Sequence, residues 1–285
     1  MLRIAVQSKG RLFEETSTML AESSIKVDGG KRTLLVKAKN FPVEILYLRD
    51  DDIPQVVAAG IADVGIVGEN EFVEKGQEAD IIKRLDFSKC RISLAIPEAE
   101  AATYPGVQWF NGKKIATSYP NILKQYLDKN NIKAEIHEIM GSVEVAPGIG
   151  FADAIFDIVS SGSTLVSNKL KEVEIVMHSE AIMIGHKGLS AEKKEILDEL
   201  LFRFNSYKNA EGKKYIMMNI PTDKIDEVGK ILPGMKAPTI TALDTPGWSS
   251  LQSVIEEDCF WEIINQLKSL GAEGILVVPI EKMIL

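Results

Sequence analysis

The N-terminal part of the chain alternates between short apolar runs and segments with helical periodicity. Apolar runs at residues 2–6, 43–48 and 64–67 predict three buried strands. A helix is predicted after the first of them, because Leu12, Phe13, Thr16, Met19 and Leu20 recur at helical spacing. Another begins at Ile53-Pro54, since proline is tolerated in a first helical turn. Alternating strands and helices indicate an α/β fold with a parallel or mixed sheet.

The middle of the chain repeats this pattern. Gly60-Ile61-Ala62-Asp63 matches Gly150-Phe151-Ala152-Asp153 at an offset of 90, and residues 43–46 match residues 134–137 at an offset of 91. Such self-similarity predicts two related α/β lobes with a cleft between them. The alternative is that any two strand–helix–strand segments share a few residues.

The two lobes are predicted to be interleaved in sequence and to be followed by a smaller domain. With crossings at residues 91–97 and 176–184, the first lobe comprises residues 1–92 plus about 179–209, and the second comprises 93–178. Residues 212–285 follow a polar linker and read strand, helix, strand, strand, helix, strand, the ferredoxin-like order. We expect this third module to regulate or oligomerise rather than to catalyse.

The composition of the chain mainly argues against certain classes of protein and partner. With 45% hydrophobic and 26% charged residues, the 285-residue chain is typical of globular proteins. Its net charge of −8 argues against a nucleic-acid partner, but not against small anionic ligands. No apolar run reaches the roughly 20 residues of a membrane span, and the N-terminus lacks a signal-peptide pattern. We therefore expect a soluble, cytoplasmic protein without a membrane partner.

Residues that commonly bind metals are scattered along the chain. Cys90 and Cys259 form no CxxC pair, and His137, His178 and His186 show no spacing typical of zinc sites. We expect reduced thiols, structural or surface histidines, and no dedicated protein cluster for a metal ion.

The clearest chemical pattern lies at residues 152–165. A strand over 152–158 would place Asp153 and Asp157 on one face, and carboxylates in such an apolar strand need polar partners. The loop that follows contains hydroxyl and small residues, namely Ser160, Ser161, Gly162, Ser163 and Thr164. Its N–H groups and hydroxyls suit a phosphate, and the carboxylates suit ribose hydroxyls. The pattern predicts a ribose-phosphate site, and the alternative is an ordinary capped strand-to-helix turn.

Charged residues also follow the predicted strands of the first lobe. Lys9 and Arg11 come after the first strand and Arg49 after the second, where open α/β sheets bind ligands. We expect them to form a local basic cleft, although each alone would also fit a solvated surface. Glu69 and Asn70 end another strand and are candidates to hydrogen-bond a base edge. The sequence contains neither a P-loop nor an acceptable dinucleotide fingerprint.

Several of these motifs, taken in order, resemble the ATP phosphoribosyltransferases, which catalyse the first step of histidine biosynthesis. In the catalytic region the resemblance is carried by residues 7–12 (QSKGRL), 47–54 (YLRDDDIP), 65–70 (GIVGEN) and 153–165. Residues 217–219 (MMN), 237–239 (APT), 247–248 (GW) and 271–276 (GAEGIL) resemble the C-terminal regulatory domain of the long form of that family. The resemblance covers almost the entire chain.

The resemblance implies a fold and a reaction. The fold is two lobes similar to periplasmic binding proteins, followed by an ACT-like domain. The reaction joins N1 of the adenine of ATP to the anomeric carbon of phosphoribosyl pyrophosphate and releases pyrophosphate. Mg²⁺ would accompany the substrate phosphates, and the chain would form a homo-oligomer, from dimer to hexamer.

The resemblance also implies roles for individual residues. Asp153 and Asp157 would hold the ribose, and residues 160–164 would hold the 5′-phosphate. Catalytic roles would fall to Asp153, Asp157, Lys9 and Arg49. The residues implied to bind ATP are Lys9, Gly10, Arg11, Arg49, Asp50, Glu69 and Asn70.

Histidine is the implied feedback inhibitor, bound by the ACT-like domain. The residues predicted for its pocket are Met235, Leu243, Ser253 and Ala272. Two alternative functions for the chain are a phosphoribosyltransferase with another acceptor and a two-lobed binding protein without catalytic activity.

Overall fold

The computed structural model describes residues 1–28, 33–232 and 237–285. Within them, the strands are β1 (Leu2–Gln7), β2 (Leu35–Lys37), β3 (Val43–Leu48), β4 (Val64–Gly68), β5 (Asp80–Arg84), β6 (Cys90–Pro97), β7 (Lys114–Thr117), β8 (Glu135–Glu138), β9 (Ala154–Val159), β10 (Leu170–Ser179), β11 (Ala181–Gly185), β12 (Lys213–Pro221), β13 (Thr239–Ala242), β14 (Trp248–Glu256) and β15 (Glu273–Pro279). The helices are α1 (Arg11–Glu22), α2 (Ile53–Ala58), α3 (Glu69–Lys75), α4 (Glu98–Ala101), α5 (Pro120–Lys129), α6 (Ser163–Ser167), α7 (Ala191–Ala210), α8 (Ile225–Ile231) and α9 (Glu257–Ser269).

These elements form two compact units. One comprises Met1–Thr18 and Ile25–Leu197, and the other comprises Met19–Ser24 and Asp198–Leu285. The second unit therefore begins inside α7, whereas the sequence analysis placed the boundary near residues 209–212. None of the described helices is long and apolar enough to cross a lipid bilayer.

The first unit contains two sheets built on one plan. The first sheet has the order β2-β3-β1-β4-β11-β5, and β1 pairs in parallel with both β3 and β4. The second has the order β10-β6-β9-β7-β8, and β7 pairs in parallel with both β8 and β9. In each sheet an antiparallel strand follows, β11 beside β4 and β6 beside β9. This two-lobed arrangement is the periplasmic-binding-protein-like fold predicted from the sequence.

The internal repeat also extends to hydrogen bonds at the start of β4 and β9. Asp63 accepts a hydrogen bond from the Arg3 N–H at 2.8 Å, and Asp153 accepts one from the Lys114 N–H at 2.8 Å. Each aspartate also donates its own N–H to the carbonyl of the same partner, at 3.0 and 2.9 Å. The two carboxylates therefore cap the same edge of the two sheets.

The first lobe packs α2 closely on β4 because β4 contains a glycine at the contact. A Cβ atom on Gly65 would lie 2.6 Å from Cγ2 of Ile53 and 2.8 Å from Cγ2 of Val57, and both side chains are fully buried. Ile53 and Val57 belong to a core that also contains Ala5, Val67 and Ile184.

Gly65→Ala is expected to lower the free energy of unfolding by about 1–3 kcal/mol, because its methyl group enters occupied space. Urea unfolding of the full-length protein measures the change. Gly148→Ala is the matched control, since its Cβ would meet the Val145 carbonyl oxygen at an ordinary 3.5 Å. Equal destabilisation by both substitutions would contradict this packing argument.

A buried carboxylate joins the two lobes. Glu74 on α3 is 6% exposed and accepts hydrogen bonds from the N–H groups of Asn121 and Ile122, each at 2.9 Å. These groups lie in the first turn of α5, whose N–H groups have no partners within the helix. The carboxylate also suits the positive end of the helix dipole. Glu74 thus fixes α3 of the first lobe against α5 of the second.

The second unit contains a four-stranded antiparallel sheet with the order β13-β14-β12-β15. Two helices, α8 and α9, interrupt the strands to give the predicted βαββαβ order. One face of the sheet buries a core that includes Ile216, Met218, Leu251 and Leu267. This confirms the ferredoxin-like domain predicted from the sequence.

Candidate active site

A cavity of about 410 Å³ lies in the first unit at the carboxyl ends of strands from both lobes. The first lobe contributes the polar residues Gln7, Arg11, Asp50, Asn70, Glu71 and Ser88. The second lobe contributes Tyr119, Glu144, Asp157, Ser160, Ser161 and Thr164, together with Gly162. This is the edge at which open α/β sheets bind ligands.

The hydroxyl-rich loop at residues 160–164 follows β9 directly and lines the cavity. Gly162 has a φ of +83°, a conformation that side chains with a Cβ rarely adopt. The Ser161 and Ser163 hydroxyls lie 3.0 Å apart, and the Ser163 N–H donates to Ser161 Oγ at 3.4 Å. The loop therefore presents exposed hydroxyls and backbone N–H groups on one side of the cleft, while Ser163 itself is not part of the cavity lining.

Two arginines hold the start of this loop. Arg11 Nη1 donates to Ser160 Oγ at 3.0 Å and reaches across from the first lobe. Arg91 Nη1 donates to the Ser160 carbonyl at 3.0 Å while Nε and Nη2 bind the Glu172 carboxylate at 2.6 and 2.7 Å. The sequence analysis missed Arg91, because its role depends on the pairing of β6 with β9 and β10.

Asp157 lies near the end of β9 and points into the cavity. Burial raises the pKa of this carboxyl, the Ile158 N–H hydrogen bond lowers it, and the charge of nearby Glu144 raises it, which together give a pKa of about 6. The Ile158 N–H donates to Asp157 Oδ1 at 2.8 Å, which leaves Oδ2 as an acceptor for a ligand. A desolvated carboxylate of this kind suits sugar hydroxyls and a developing positive charge.

Asp153 does not reach the cavity, in contrast to the expectation that it shares a cleft-facing strand face with Asp157. The strand begins at Ala154, so Asp153 precedes it and caps the opposite edge of the sheet through the Lys114 N–H. Asp153 and Asp157 are four residues apart, which corresponds to about 13 Å along an extended strand. Asp153 therefore has the same structural position as Asp63 and lies outside the cavity lining.

The predicted basic residues of the first lobe are divided between the cavity and its rim. Arg11 lines the cavity, whereas Lys9, Gly10 and Arg49 do not, and all three are exposed. Arg49 is 71% exposed at its side chain and pairs with Asp51 at 3.2 Å. Asp50 does line the cavity, where it accepts a hydrogen bond from Gln7 Nε2 at 3.2 Å.

Glu69 and Asn70 point to different places. Glu69 binds Arg84 through both carboxylate oxygens at 2.5 Å and lines a separate small cavity, so it is not available for a base in the main cleft. Asn70 lines the main cleft and donates through Nδ2 to the Tyr119 hydroxyl at 3.2 Å. Only Asn70 of this predicted pair reaches the site.

Glu71 is a second residue that the sequence analysis missed. It follows Asn70 in the first turn of α3 and lines the cleft. Burial, together with the charge of Asp50, raises the pKa of its carboxyl to about 7. In the sequence, Glu71 is a charged residue directly after Glu69 and Asn70, which were predicted to end a strand. That position alone does not show on which side of the helix its carboxylate lies.

Most of the charged residues that line the cavity are acidic, whereas the sequence predicts a local basic cleft. Among the described residues that line it, four are carboxylates, Asp50, Glu71, Glu144 and Asp157, and one is a cation, Arg11. Lys9 and Arg49, the other two cations predicted for the cleft, lie outside this lining. The groups of the cavity that suit an anion are Arg11 and the backbone N–H groups and hydroxyls of the loop at residues 160–164.

The predicted effector residues lie in or next to the core of the second unit. Ala272 is 7% exposed and belongs to the hydrophobic core, and Ser253 on β14 is also 7% exposed. Leu243 follows β13, and its N–H donates to the Trp248 carbonyl at 3.0 Å. Met235 lies outside the residues that the structure describes.

Taken together, the two lobes, the hydroxyl-lined loop and the adjacent desolvated carboxylate define a two-lobed α/β protein whose cleft suits a phosphorylated sugar. The chain belongs to the ATP phosphoribosyltransferase family, whose model matches residues 49–206, and the model of the C-terminal domain of that family matches residues 210–282.

Individual relatives agree with this assignment. The ATP phosphoribosyltransferase of Bacteroides thetaiotaomicron is 68% identical over 284 residues, and that of Cytophaga hutchinsonii is 58% identical over 284 residues. The matches cover 100% of this chain and 100% and 99% of those proteins. A chain of the ATP phosphoribosyl transferase (HisG:HisZ) complex from Thermotoga maritima superposes with a TM-score of 0.61 at 25% identity, covering 72% of this chain and 98% of that one.

The activity is therefore that of an ATP phosphoribosyltransferase, a pentosyltransferase that acts at the first step of histidine biosynthesis. Its substrates are ATP and phosphoribosyl pyrophosphate, and its family uses a metal ion. This confirms the family and the reaction predicted from the sequence motifs.

Proposed function

We propose that the cleft binds phosphoribosyl pyrophosphate with its 5′-phosphate on residues 160–164 and its ribose hydroxyls at Asp157. The observation that carries the proposal is that this loop and this carboxylate line one cavity at the end of one strand. Ser161 and Thr164 would donate to the phosphate, and Arg11 would complete the loop from the other lobe. Glycine at residue 162 permits the turn of the loop at positive φ.

In this arrangement ATP occupies the part of the cleft that belongs to the first lobe. Asn70 and Asp50 line that part, and Lys9, Gly10 and Arg49 lie beside it at the rim. Flexible rim cations suit the triphosphate and the departing pyrophosphate, which extend toward solvent. These residues remain part of the proposed ATP site on the basis of that placement.

The reaction asks mainly for alignment of two bound reactants. Adenine N1 is already nucleophilic, and positioning alone accounts for about 7–11 kcal/mol of the barrier in well-oriented reactions. The Asp157 carboxylate faces the anomeric carbon, where positive charge develops as pyrophosphate leaves. The site therefore requires neither a protein nucleophile nor a catalytic triad.

We propose Mg²⁺ as the metal ion of the reaction. Carboxylate oxygens are the ligand type that Mg²⁺ prefers, and the cleft is rich in them. Among the described residues, no group of three or more potential ligands is arranged to hold a metal ion. Substrate phosphates would therefore supply most of the ligands, with Glu144 as the carboxylate beside the phosphate loop, and the ion would neutralise the leaving pyrophosphate.

An assay of the full-length protein with ATP, phosphoribosyl pyrophosphate and Mg²⁺ tests this function. We expect phosphoribosyl-ATP and pyrophosphate in equal amounts, and a loss of turnover when EDTA removes the metal ion. Turnover with another base but not with ATP would support the alternative acceptor, and binding without turnover would support the non-catalytic alternative.

We further propose that histidine inhibits the enzyme by binding the second unit. The matching family domain at 210–282 and the ferredoxin-like sheet support this placement. We expect histidine to slow amide hydrogen exchange within residues 198–285, where it would bind, and to lower the initial rate through coupling between the two sites. Exchange protection confined to the cleft of the first unit would instead indicate simple competition.

A homo-oligomer, from dimer to hexamer, completes the proposal, and the cytoplasm is the proposed compartment because both substrates are intracellular metabolites. In the second unit β15 is an edge strand with Leu276, Val277 and Val278 exposed at 56%, 37% and 45%. Exposed apolar edge strands pair readily with other chains. Light scattering coupled to size-exclusion chromatography measures the number of copies.

A further inference from the structure

The side of the cleft formed by α3 contains a fixed network of polar groups. The Ser179 hydroxyl donates to Asn70 Oδ1 at 2.8 Å and accepts from the Asn70 N–H at 3.0 Å. Asn70 Nδ2 then donates to the Tyr119 hydroxyl at 3.2 Å. Asn70, Ser179 and Tyr119 are only 4%, 5% and 7% exposed, so the network holds the Tyr119 hydroxyl in one place.

Glu71 is the member of this network that faces the open cleft. Its carboxyl is hydrogen-bonded by the Tyr119 hydroxyl, whose own hydrogen-bond acceptor site is filled by Asn70. Tyr119 also lies close enough to Asp157 for that charge to raise the pKa of the phenol. Glu71 and Asp157 therefore face the same cavity from opposite lobes, with Tyr119 next to both.

Alkylation of adenine at N1 makes its exocyclic amino group acidic, so the reaction needs a group that accepts a proton. When N1 of adenine attacks the anomeric carbon, the C1′–N1 bond forms and the C1′–O bond to pyrophosphate breaks, its electron pair remaining on the pyrophosphate oxygen. The alkylated base then carries a positive charge shared between N1 and the exocyclic N6. Loss of one N6 proton to a base restores a neutral ring system.

We propose that Glu71 binds the exocyclic amino group of adenine and accepts one of its protons as N1 is alkylated. This inference rests on the proposed placement of the ribose at Asp157, because N6 lies next to N1 and therefore next to the reacting carbon. The Tyr119 hydroxyl orients the carboxylate toward the amino group. Glu71 thereby selects a 6-amino purine over bases without that group.

The charges around Glu71 suit a group that takes up a proton near neutral pH. Burial raises the pKa of Glu71 to about 7, as does the charge of Asp50, with a smaller contribution from Asp51. Tyr119, which immediately precedes α5, and Lys75 on α3 act in the opposite direction. A base with a pKa near the working pH transfers protons most effectively.

Glu71→Gln in the full-length protein tests the proposal, with ATP and purine riboside 5′-triphosphate, which lacks the amino group, as alternative acceptors. We expect the substitution to lower kcat for ATP about 100-fold. The same substitution should change kcat for purine riboside triphosphate by less than about threefold. This substrate already lacks the amino group that Glu71 would bind, so removing the carboxylate removes no further interaction. The acid limb of the pH profile near pH 7 should also disappear with ATP.

Controls separate this inference from the proposed site. Glu78→Gln, at an exposed position after α3, should leave both rates unchanged. Binding of phosphoribosyl pyrophosphate, measured by calorimetry, should survive Glu71→Gln and show that the variant folds. Loss of that binding, an equal loss of kcat with both acceptors, or an unchanged kcat with ATP would each overturn the proposal. If Asp157→Asn is inactive while Glu71→Gln retains full activity, only the role of Glu71 fails.

Discussion

Asp157→Asn is expected to lower kcat/KM for phosphoribosyl pyrophosphate by about 100- to 1000-fold at pH 8. An amide has the shape of the carboxylate but cannot accept two hydroxyl hydrogen bonds through charged oxygens, and it does not stabilise positive charge at the anomeric carbon. Initial rates over a range of phosphoribosyl pyrophosphate concentrations measure the effect. Asp153→Asn is the matched control, because its carboxylate caps a backbone N–H outside the cavity. It should retain activity.

The stability of the Asp157→Asn variant separates a catalytic loss from a folding defect. Burial raises the pKa of Asp157 to about 6, above that of a carboxyl in the unfolded chain. Such a group stabilises the fold while it is protonated, and this contribution is lost as the pH rises through about 6. Asparagine carries no charge to bury, so the variant should be at least as stable as the wild type at pH 8. An inactive variant that is also unfolded would leave Asp157 without a demonstrated catalytic role.

Arg11→Met is expected to raise KM for phosphoribosyl pyrophosphate about 10- to 100-fold, because hydrogen bonds to charged groups contribute about 1.5–3 kcal/mol. Arg11 is the one cation among the described residues that line the cavity, and it binds Ser160 Oγ at 3.0 Å. Methionine keeps much of the side-chain volume and removes the guanidinium. Steady-state kinetics with saturating ATP measure this change.

The effect of Arg11→Met on KM should be compared with the effect of Arg49→Met. Arg49 lies at the rim, is 71% exposed at its side chain and pairs with Asp51, so its loss should cost less than the loss of Arg11. Lys124→Met on α5 controls for the loss of an exposed positive charge. A larger effect at Arg49 than at Arg11 would indicate that the phosphates bind at the rim and not at the loop.

Much of the fold was predictable because it repeats a local pattern. Strands such as β4 are continuous apolar runs, and the turn before it recurs before β9 with its Gly-x-Ala-Asp sequence. Gly60 and Gly150 both have positive φ, at 70° and 74°, so the same residue type occupies the same position in both turns. The phosphate loop was predictable for a similar reason, since its chemistry lies in five consecutive residues.

The rest of the site depends on tertiary structure that a linear pattern does not contain. Strand periodicity grouped Asp153 with Asp157, but the strand begins one residue after Asp153, whose carboxylate binds the Lys114 N–H, whereas Asp157 lies within the strand and lines the cavity. Glu69 was predicted to hydrogen-bond the edge of the nucleotide base. In the structure it is bound by Arg84, whose position depends on the pairing of β5 with β11. Glu71 enters the cleft because Glu74 fixes α3 against α5.

A crystal structure of the protein with phosphoribosyl pyrophosphate and Mg²⁺ bound would show directly whether the loop at residues 160–164 binds the 5′-phosphate. We predict that the 5′-phosphate binds the N–H groups and hydroxyls of residues 160–164, with a ribose hydroxyl within hydrogen-bond distance of Asp157 Oδ2. A 5′-phosphate bound at Lys9 and Arg49, with the loop at residues 160–164 free of ligand, would contradict it.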